Sequence, residues 1–80
     1  MKLWIGNLDP ATTEEELQAF LTKYGGPQIA TIEHVPGDGT RPAAMITFEA
    51  QNIDKLYRMA QRLNGLRWKD RELVAHVLRS

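Results

Sequence analysis

The sequence contains no cysteine, which removes a disulfide framework, a thiolate zinc site and a cysteine nucleophile at once. Its two histidines, His34 and His76, cannot make a four-ligand metal site without help from carboxylates. Long hydrophobic runs are missing: the longest are four or five residues, far short of the roughly 18 needed to span a membrane. The opening stretch from Met1 to Leu8 meets a turn at Asp9-Pro10, too soon for a secretory signal. Net charge is also absent, because ten basic and ten acidic residues cancel. A chain of 80 residues holds one domain and buries about 60–65% of its extended surface, so its core must be small and well placed. These absences leave a single domain over residues 1–80, expected to be intracellular and cytoplasmic, with no membrane association, metal or cofactor.

The charges that cancel in sum are separated along the chain. Residues 1–57 hold four basic side chains (Lys2, Lys23, Arg41, Lys55) and eight acidic ones, a balance of −4. Residues 58–80 hold six basic side chains (Arg58, Arg62, Arg67, Lys69, Arg71, Arg79) against Asp70 and Glu72, a balance of +4. A basic C-terminal third can contact phosphates. It can equally be a solvated helix face and a polar loop.

Apolar periodicity outlines the elements. Leu3, Trp4 and Ile5 mark a short strand over residues 2–7, ended by Asp9-Pro10. Thr13-Glu14-Glu15-Glu16 has the form of a capping box, and acidic side chains in a first turn suit the helix dipole. Leu17, Phe20, Leu21 and Tyr24 follow on one helical face, and Gly25-Gly26-Pro27 stops that helix. Residues 28–35 are β-prone, but Ile29, Ile32 and Val35 do not share a parity, which predicts a bulge. After the Pro36–Thr40 loop, residues 43–48 alternate, with Ala44, Ile46 and Phe48 opposing Ala43, Met45 and Thr47. Ile53, Leu56, Tyr57, Ala60 and Leu63 place a second helix over residues 52–63, stopped at Asn64-Gly65. Residues 66–71 read as a loop, and residues 72–78 as a fourth strand with Leu73, Ala75 and Val77 on one side.

The order is βαββαβ. Two amphipathic helices following the first and third strands can cover one face of a four-stranded antiparallel sheet, with strand order fourth, first, third, second. The covered parity is the apolar one: Leu3, Ile5, Ala44, Ile46, Phe48, Leu73, Ala75 and Val77. The open face then carries Lys2, Trp4, Arg41, Ala43, Met45, Val74 and His76, with Glu33. A tryptophan at the middle of an open sheet face is either covered by its neighbours, such as Met45, or kept for a ligand.

These residues resemble the RNA recognition motif family along nearly the whole chain. The family's first-strand hexamer, aliphatic–aromatic–aliphatic–x–Asn–Leu, is matched by Leu3-Trp4-Ile5-Gly6-Asn7-Leu8. The helix opening Thr13–Leu17, the Leu63-Asn64-Gly65 stop and Arg71-x-Leu73 before the last strand are similar too. The resemblance implies an α+β, ferredoxin-like βαββαβ sandwich, and single-stranded RNA as partner on the open face. The third-strand octamer departs from the family pattern Lys/Arg-Gly-Phe/Tyr-Gly/Ala-Phe-Val-x-Phe/Tyr. Here it reads Arg41-Pro42-Ala43-Ala44-Met45-Ile46-Thr47-Phe48. The core positions and the basic residue are kept, whereas Ala43 and Met45 stand at the two surface aromatic positions.

Family members stack two or three bases on such aromatics, and only Trp4 remains to do so here. Each stack is worth roughly 1–3 kcal/mol, so two lost platforms weaken binding by about 2–6 kcal/mol. The expectation is weak to moderate RNA binding, with Trp4 stacking a base and Arg41, Lys2 and the C-terminal basic residues meeting phosphates. Arg41 is expected beside Trp4, His76 and Val74 against a base, and Ala43 and Met45 on the same RNA-binding face, where Met45 can add a sulfur–π contact. Asn7 is expected to hold the strand-to-turn geometry.

Trp68 stands where some relatives carry an Arg-x-Phe loop that binds tryptophan-bearing peptides. The arginine position of that pattern is Leu66, so the expectation is a Trp68 packed on the base of its loop. An enzyme is not expected: no Ser/His/Asp grouping, phosphate-cradling loop or metal spacing is present. Acylphosphatases share the element order but would need an arginine-bearing loop after the first strand, where Gly6–Pro10 offers Asp9. The alternative to RNA binding is a protein-interaction module of this fold, using the apolar sheet face for a partner or for self-association.

Overall fold

The computed structural model describes residues 2–24, 29–49 and 53–78. The elements are β1 (Lys2–Gly6), α1 (Glu14–Lys23), β2 (Ile29–Val35), β3 (Ala43–Phe48), α2 (Ile53–Leu63), the two-residue strands β4 (Arg67–Trp68) and β5 (Arg71–Glu72), and β6 (Val74–Leu78). The main sheet is antiparallel with order β2-β3-β1-β6, as the parity of the strands requires. This is the ferredoxin-like α+β sandwich. Both helices press on one face around Leu3, Ile5, Leu17, Leu21, Ile46 and Leu63.

The local signals explain most boundaries. Thr13 is the N-cap of α1: its Oγ1 accepts from Glu16 N at 3.1 Å, and Glu16 Oε1 accepts from Thr13 N at 3.0 Å. The register of β2 slips between Ile29 and Thr31. That bulge lets Ile29 and Ile32 both pack on the core, opposite Phe48 and Ile46, while Val35 passes to the open side beside Ala43. Strand β1 stops at Gly6, one residue earlier than expected. Asn7 takes a left-handed φ of 61°, a conformation asparagine tolerates better than most residues. Its Nδ2 donates to Glu72 O at 2.9 Å, so it does hold the strand-to-turn geometry.

Three local expectations are corrected. Tyr57 does not join the buried stripe of α2 and is 39% exposed; Met59, three residues after Leu56, is buried in its place. The segment after α2 is a hairpin rather than a loop. Arg67 pairs with Glu72 and Trp68 with Arg71, and the turn residues Lys69 and Asp70 both have positive φ, 53° and 62°, the pattern of a type I′ turn. Consequently the last strand of the main sheet starts at Val74, because Arg71 and Glu72 belong to the hairpin. The expected stop at Gly25-Gly26-Pro27, Gln28 of the second strand and Asn52 of the second helix lie outside the described residues. No helix of the described residues is long and apolar enough to cross a membrane.

Candidate nucleic-acid interface

Strand register arranges the open face in rows. The central row runs Glu33, Met45, Trp4, His76, because Glu33 pairs with Met45, Met45 with Trp4, and Trp4 with His76. On one side lies a polar row of Thr31, Thr47 and Lys2 ending in Leu78. On the other lies an apolar row in which Val35 pairs with Ala43 and Gly6 with Val74. Continuing the β1–β3 register by one residue sets Ala43 beside Gly6.

Trp4 lies along its own strand. A Cβ built on Gly6, two residues on and on the same face, would stand 3.1 Å from Trp4 Nε1 and 3.9 Å from Cδ1. The bare glycine therefore makes the space in which the indole settles toward the apolar row. Among the described residues, no other ring and no cation contacts the Trp4 indole. Met45 and Lys2 are half-buried and His76 is exposed. Ala43 has the open-face parity but is only 4% exposed, so its methyl is part of the floor rather than the surface.

Arg41 is not beside Trp4. Pro42 has no N–H to give to the ladder, β3 starts at Ala43, and the neighbours across from Trp4 are Met45 and His76. Arg41 stands exposed beyond the strand end, four residues before Met45. Lys2 and Arg41 thus bracket the face, with about 20 Å of strand between Arg41 and Thr47, the partner of Lys2.

The backbone around Arg41 is well held. The Asp38 carboxylate accepts from Thr40 N at 2.9 Å and from Thr40 Oγ1 at 2.7 Å. Those bonds, the Thr40 hydroxyl first, hold the Asp38 carboxyl below its usual pKa of 3.8. Arg71 Nη1 donates to Thr40 O at 2.8 Å and to Leu8 O at 2.9 Å. Leu8 N donates to Pro42 O at 2.9 Å. Arg71 is in this way a clamp between two loops.

The other C-terminal cations among the described residues lie away from the sheet face. Arg58 and Arg62 line a groove with Tyr24 and Met59 on the helical side, and Arg67 and Lys69 line a second with Phe20, Lys23 and Tyr24. Arg79 lies outside the described residues. Periodicity of charge along a chain carries no information on which side of a sandwich an element shows, and the structure places these four cations on the helical side, not on the expected sheet face.

Trp68 packs on α1, not on the base of its own loop. Its ring stacks on Phe20 with centroids 4.2 Å apart and planes 17° apart. Lys69 Nζ lies 5.3 Å from the Trp68 centroid and 2.6 Å from Glu16 Oε2. The Lys69 ammonium, and after it the Thr13 N–H, hold the Glu16 carboxyl below its usual pKa of 4.5. Among the described residues no three His, Asp or Glu side chains come together in a way that could hold a metal ion.

Comparison with known proteins agrees with this geometry. The family model described as RNA recognition motif matches residues 3–74. No curated protein matches the chain. Among solved structures, the Pes4 RRM3 domain superposes with a TM-score of 0.81 at 20% identity, covering 99% of this chain and 92% of that one. The Rna15 RRM with bound RNA (GU) gives 0.76 at 18% identity, covering 99% and 83%. RNA recognition domains 1 and 2 of Sex-lethal from Drosophila melanogaster give 0.73 at 23%, covering 99% and 50%. At such identities the structural likeness shows the fold, and the family model, which spans most of the sequence, supplies the membership. The chain belongs to the RNA recognition motif family and is an RNA-binding module.

Proposed function

We propose that residues 1–80 act as a single RNA recognition motif domain that binds single-stranded RNA on the open sheet face, inside the cell and in the cytoplasm. Trp4 stacks one base. Met45 and His76 flank that base across the neighbouring strands, Ala43 floors the site, and Lys2 and Arg41 meet phosphates at its two ends. The domain works by binding and not as an enzyme. The observation that carries this reading is the Trp4 indole, settled over Gly6 in the central row, with no aromatic stack or cation–π partner among the described residues. With one platform in place of two or three, affinity is weak to moderate. Contact with two phosphates gives a shallow salt dependence, with log K falling by about 1.4 per tenfold increase in salt.

The test is a titration with short mixed oligonucleotides, followed by amide shifts and tryptophan fluorescence. Trp4→Ala should weaken binding about 5- to 150-fold, the equivalent of roughly 1–3 kcal/mol. RNA that perturbs neither Trp4 nor the amides of β1 and β3 at low salt would overturn the reading. The same face, with Val35, Ala43 and Val74 in its apolar row, would then be assigned to a protein partner or a second copy, whose binding should be nearly independent of salt.

A further inference from the structure

The edge of the sheet beside β6 is not plain solvent. β6 and α2 enclose a groove of about 310 Å³, lined on the helix side by Tyr57, Ala60, Gln61 and Asn64 and on the strand side by His76 and Val77. That volume is at the low end for a site that takes a small ligand. Tyr57 is one of only two exposed large hydrophobic side chains among the described residues, the other being Val74. The groove has no Lys, Arg, Asp or Glu in its lining. What it offers is an aromatic ring, an apolar floor and the hydrogen-bonding groups of two amides and an imidazole. Asn64 is already fixed there, because its Oδ1 accepts from Ala75 N at 3.1 Å. An uncharged site of this composition suits a nucleobase, which has a stackable face and an edge of donors and acceptors. It suits neither a phosphate nor a charged side chain.

The groove also continues the sheet face. His76 is the cross-strand partner of Trp4 and at the same time a wall of the groove. One strand spacing, about 5 Å, separates the β1 backbone from the β6 backbone. A strand of RNA leaving Trp4 past His76 and round the β6 edge would enter the groove that His76 shares with Tyr57.

We infer that the α2–β6 groove binds a second nucleobase of the RNA strand held on Trp4, with Tyr57 as its stacking surface and the Gln61 and Asn64 amides reading its edge. The inference rests on the sheet-face reading above. It returns one of the platforms missing from β3, at a different place in the fold.

The experiment compares RNA oligomers of about four and about eight nucleotides, lengths that separate the sheet face alone from face plus groove. Tyr57→Ala should weaken the longer oligomer about 5- to 150-fold and leave the shorter one unchanged. Tyr57→Phe should restore the longer oligomer, since the ring is kept. Gln61→Ala, at an exposed helix position, should change the preference among bases for the longer oligomer only. Denaturation midpoints of all variants check that they fold. Equal loss at both lengths, or loss at neither, overturns the inference while leaving the sheet face intact. If Trp4→Ala leaves both oligomers bound as before, the sheet-face reading fails, and a base passing from Trp4 to the groove fails with it.

Discussion

Trp4 and Trp68 are both half-buried, yet they are opposite kinds of tryptophan. Trp68 is consumed by the fold: Phe20 stacks on its ring, Lys69 lies over it, and Lys69 is in turn paired with Glu16 of the α1 capping box. Trp4 lies over a glycine and touches neither ring nor cation among the described residues. Fractional burial does not distinguish them, whereas the identity of the atoms on the ring faces does. The loss of aromatics from β3 therefore cannot be offset by Trp68, whose ring is already engaged in holding the hairpin to α1.

The largest expected effect on this contrast comes from Trp68→Ala. It removes a half-buried ring and its stack, and should cost about 2–3 kcal/mol of stability in urea melts. RNA affinity of the folded variant should stay at the wild-type value. A variant that kept its stability and lost RNA would break the comparison, since Trp68 would then be the ligand-facing ring.

Gly6→Ala is a smaller and sharper probe. Its Cβ would sit 3.1 Å from Trp4 Nε1, so the indole must move by a few tenths of an ångström. The expected outcome is a stability change within about 1 kcal/mol, a shift in Trp4 emission, unaltered Trp68 emission and a several-fold change in RNA affinity. Unchanged Trp4 emission would show that the glycine does not set the pose of the ring.

The smallest effect is on acid stability. Lys69 and Thr13 depress the folded-state pKa of Glu16 below 4.5, so the carboxylate stabilises the folded chain above that pH. The contribution is lost as pH falls below 4.5 through the lower folded value. Denaturation midpoints measured from pH 5 downward (a span of about two units) should fall less steeply for Glu16→Gln than for the wild type. The Trp68 environment should report the loss of Lys69 before Trp4 reports anything. An identical acid limb in the two proteins would mean that the Lys69–Glu16 pair is too solvated to couple to folding.

Much of the frame was legible because it rests on short-range periodicities. The parity of Leu3 and Ile5 against Ala44, Ile46 and Phe48 is enough to orient the sheet, and the slipped parity of Ile29, Ile32 and Val35 betrays the bulge. The choice between Tyr57 and Met59 was not legible. Both flank the apolar stripe of α2, and only the packing around the helix decides which one is covered: Tyr57 is left in the groove beside β6, while Met59 lies beside Tyr24. The Lys69-Asp70 turn hid its hairpin because neither residue is the glycine that usually announces positive φ. At the candidate site, the central row followed from alternation. The burial of Ala43 did not, because alternation assigns a residue to a face without saying how much of that face its neighbours cover. Arg41 was misplaced by the same limitation: it shares the parity of the face but lies before a proline, where the ladder has not begun.

The clamp around Arg41 bears on the entropy of recognition. An unrestrained loop must be ordered when its ligand arrives, at roughly 1–2 kcal/mol for each residue whose backbone becomes fixed. Here Asp38 holds the N–H and hydroxyl of Thr40, while Arg71 and Leu8 N secure the carbonyls of Thr40 and Pro42 on either side of Arg41. The backbone is therefore ordered on folding, and under the proposed phosphate role of Arg41 only its side chain, at about 0.5–1.5 kcal/mol, would be left to be immobilised by RNA. A sheet face with a single ring can be useful under those terms, because preorganisation at its rim would let the proposed weak phosphate contact survive as net affinity.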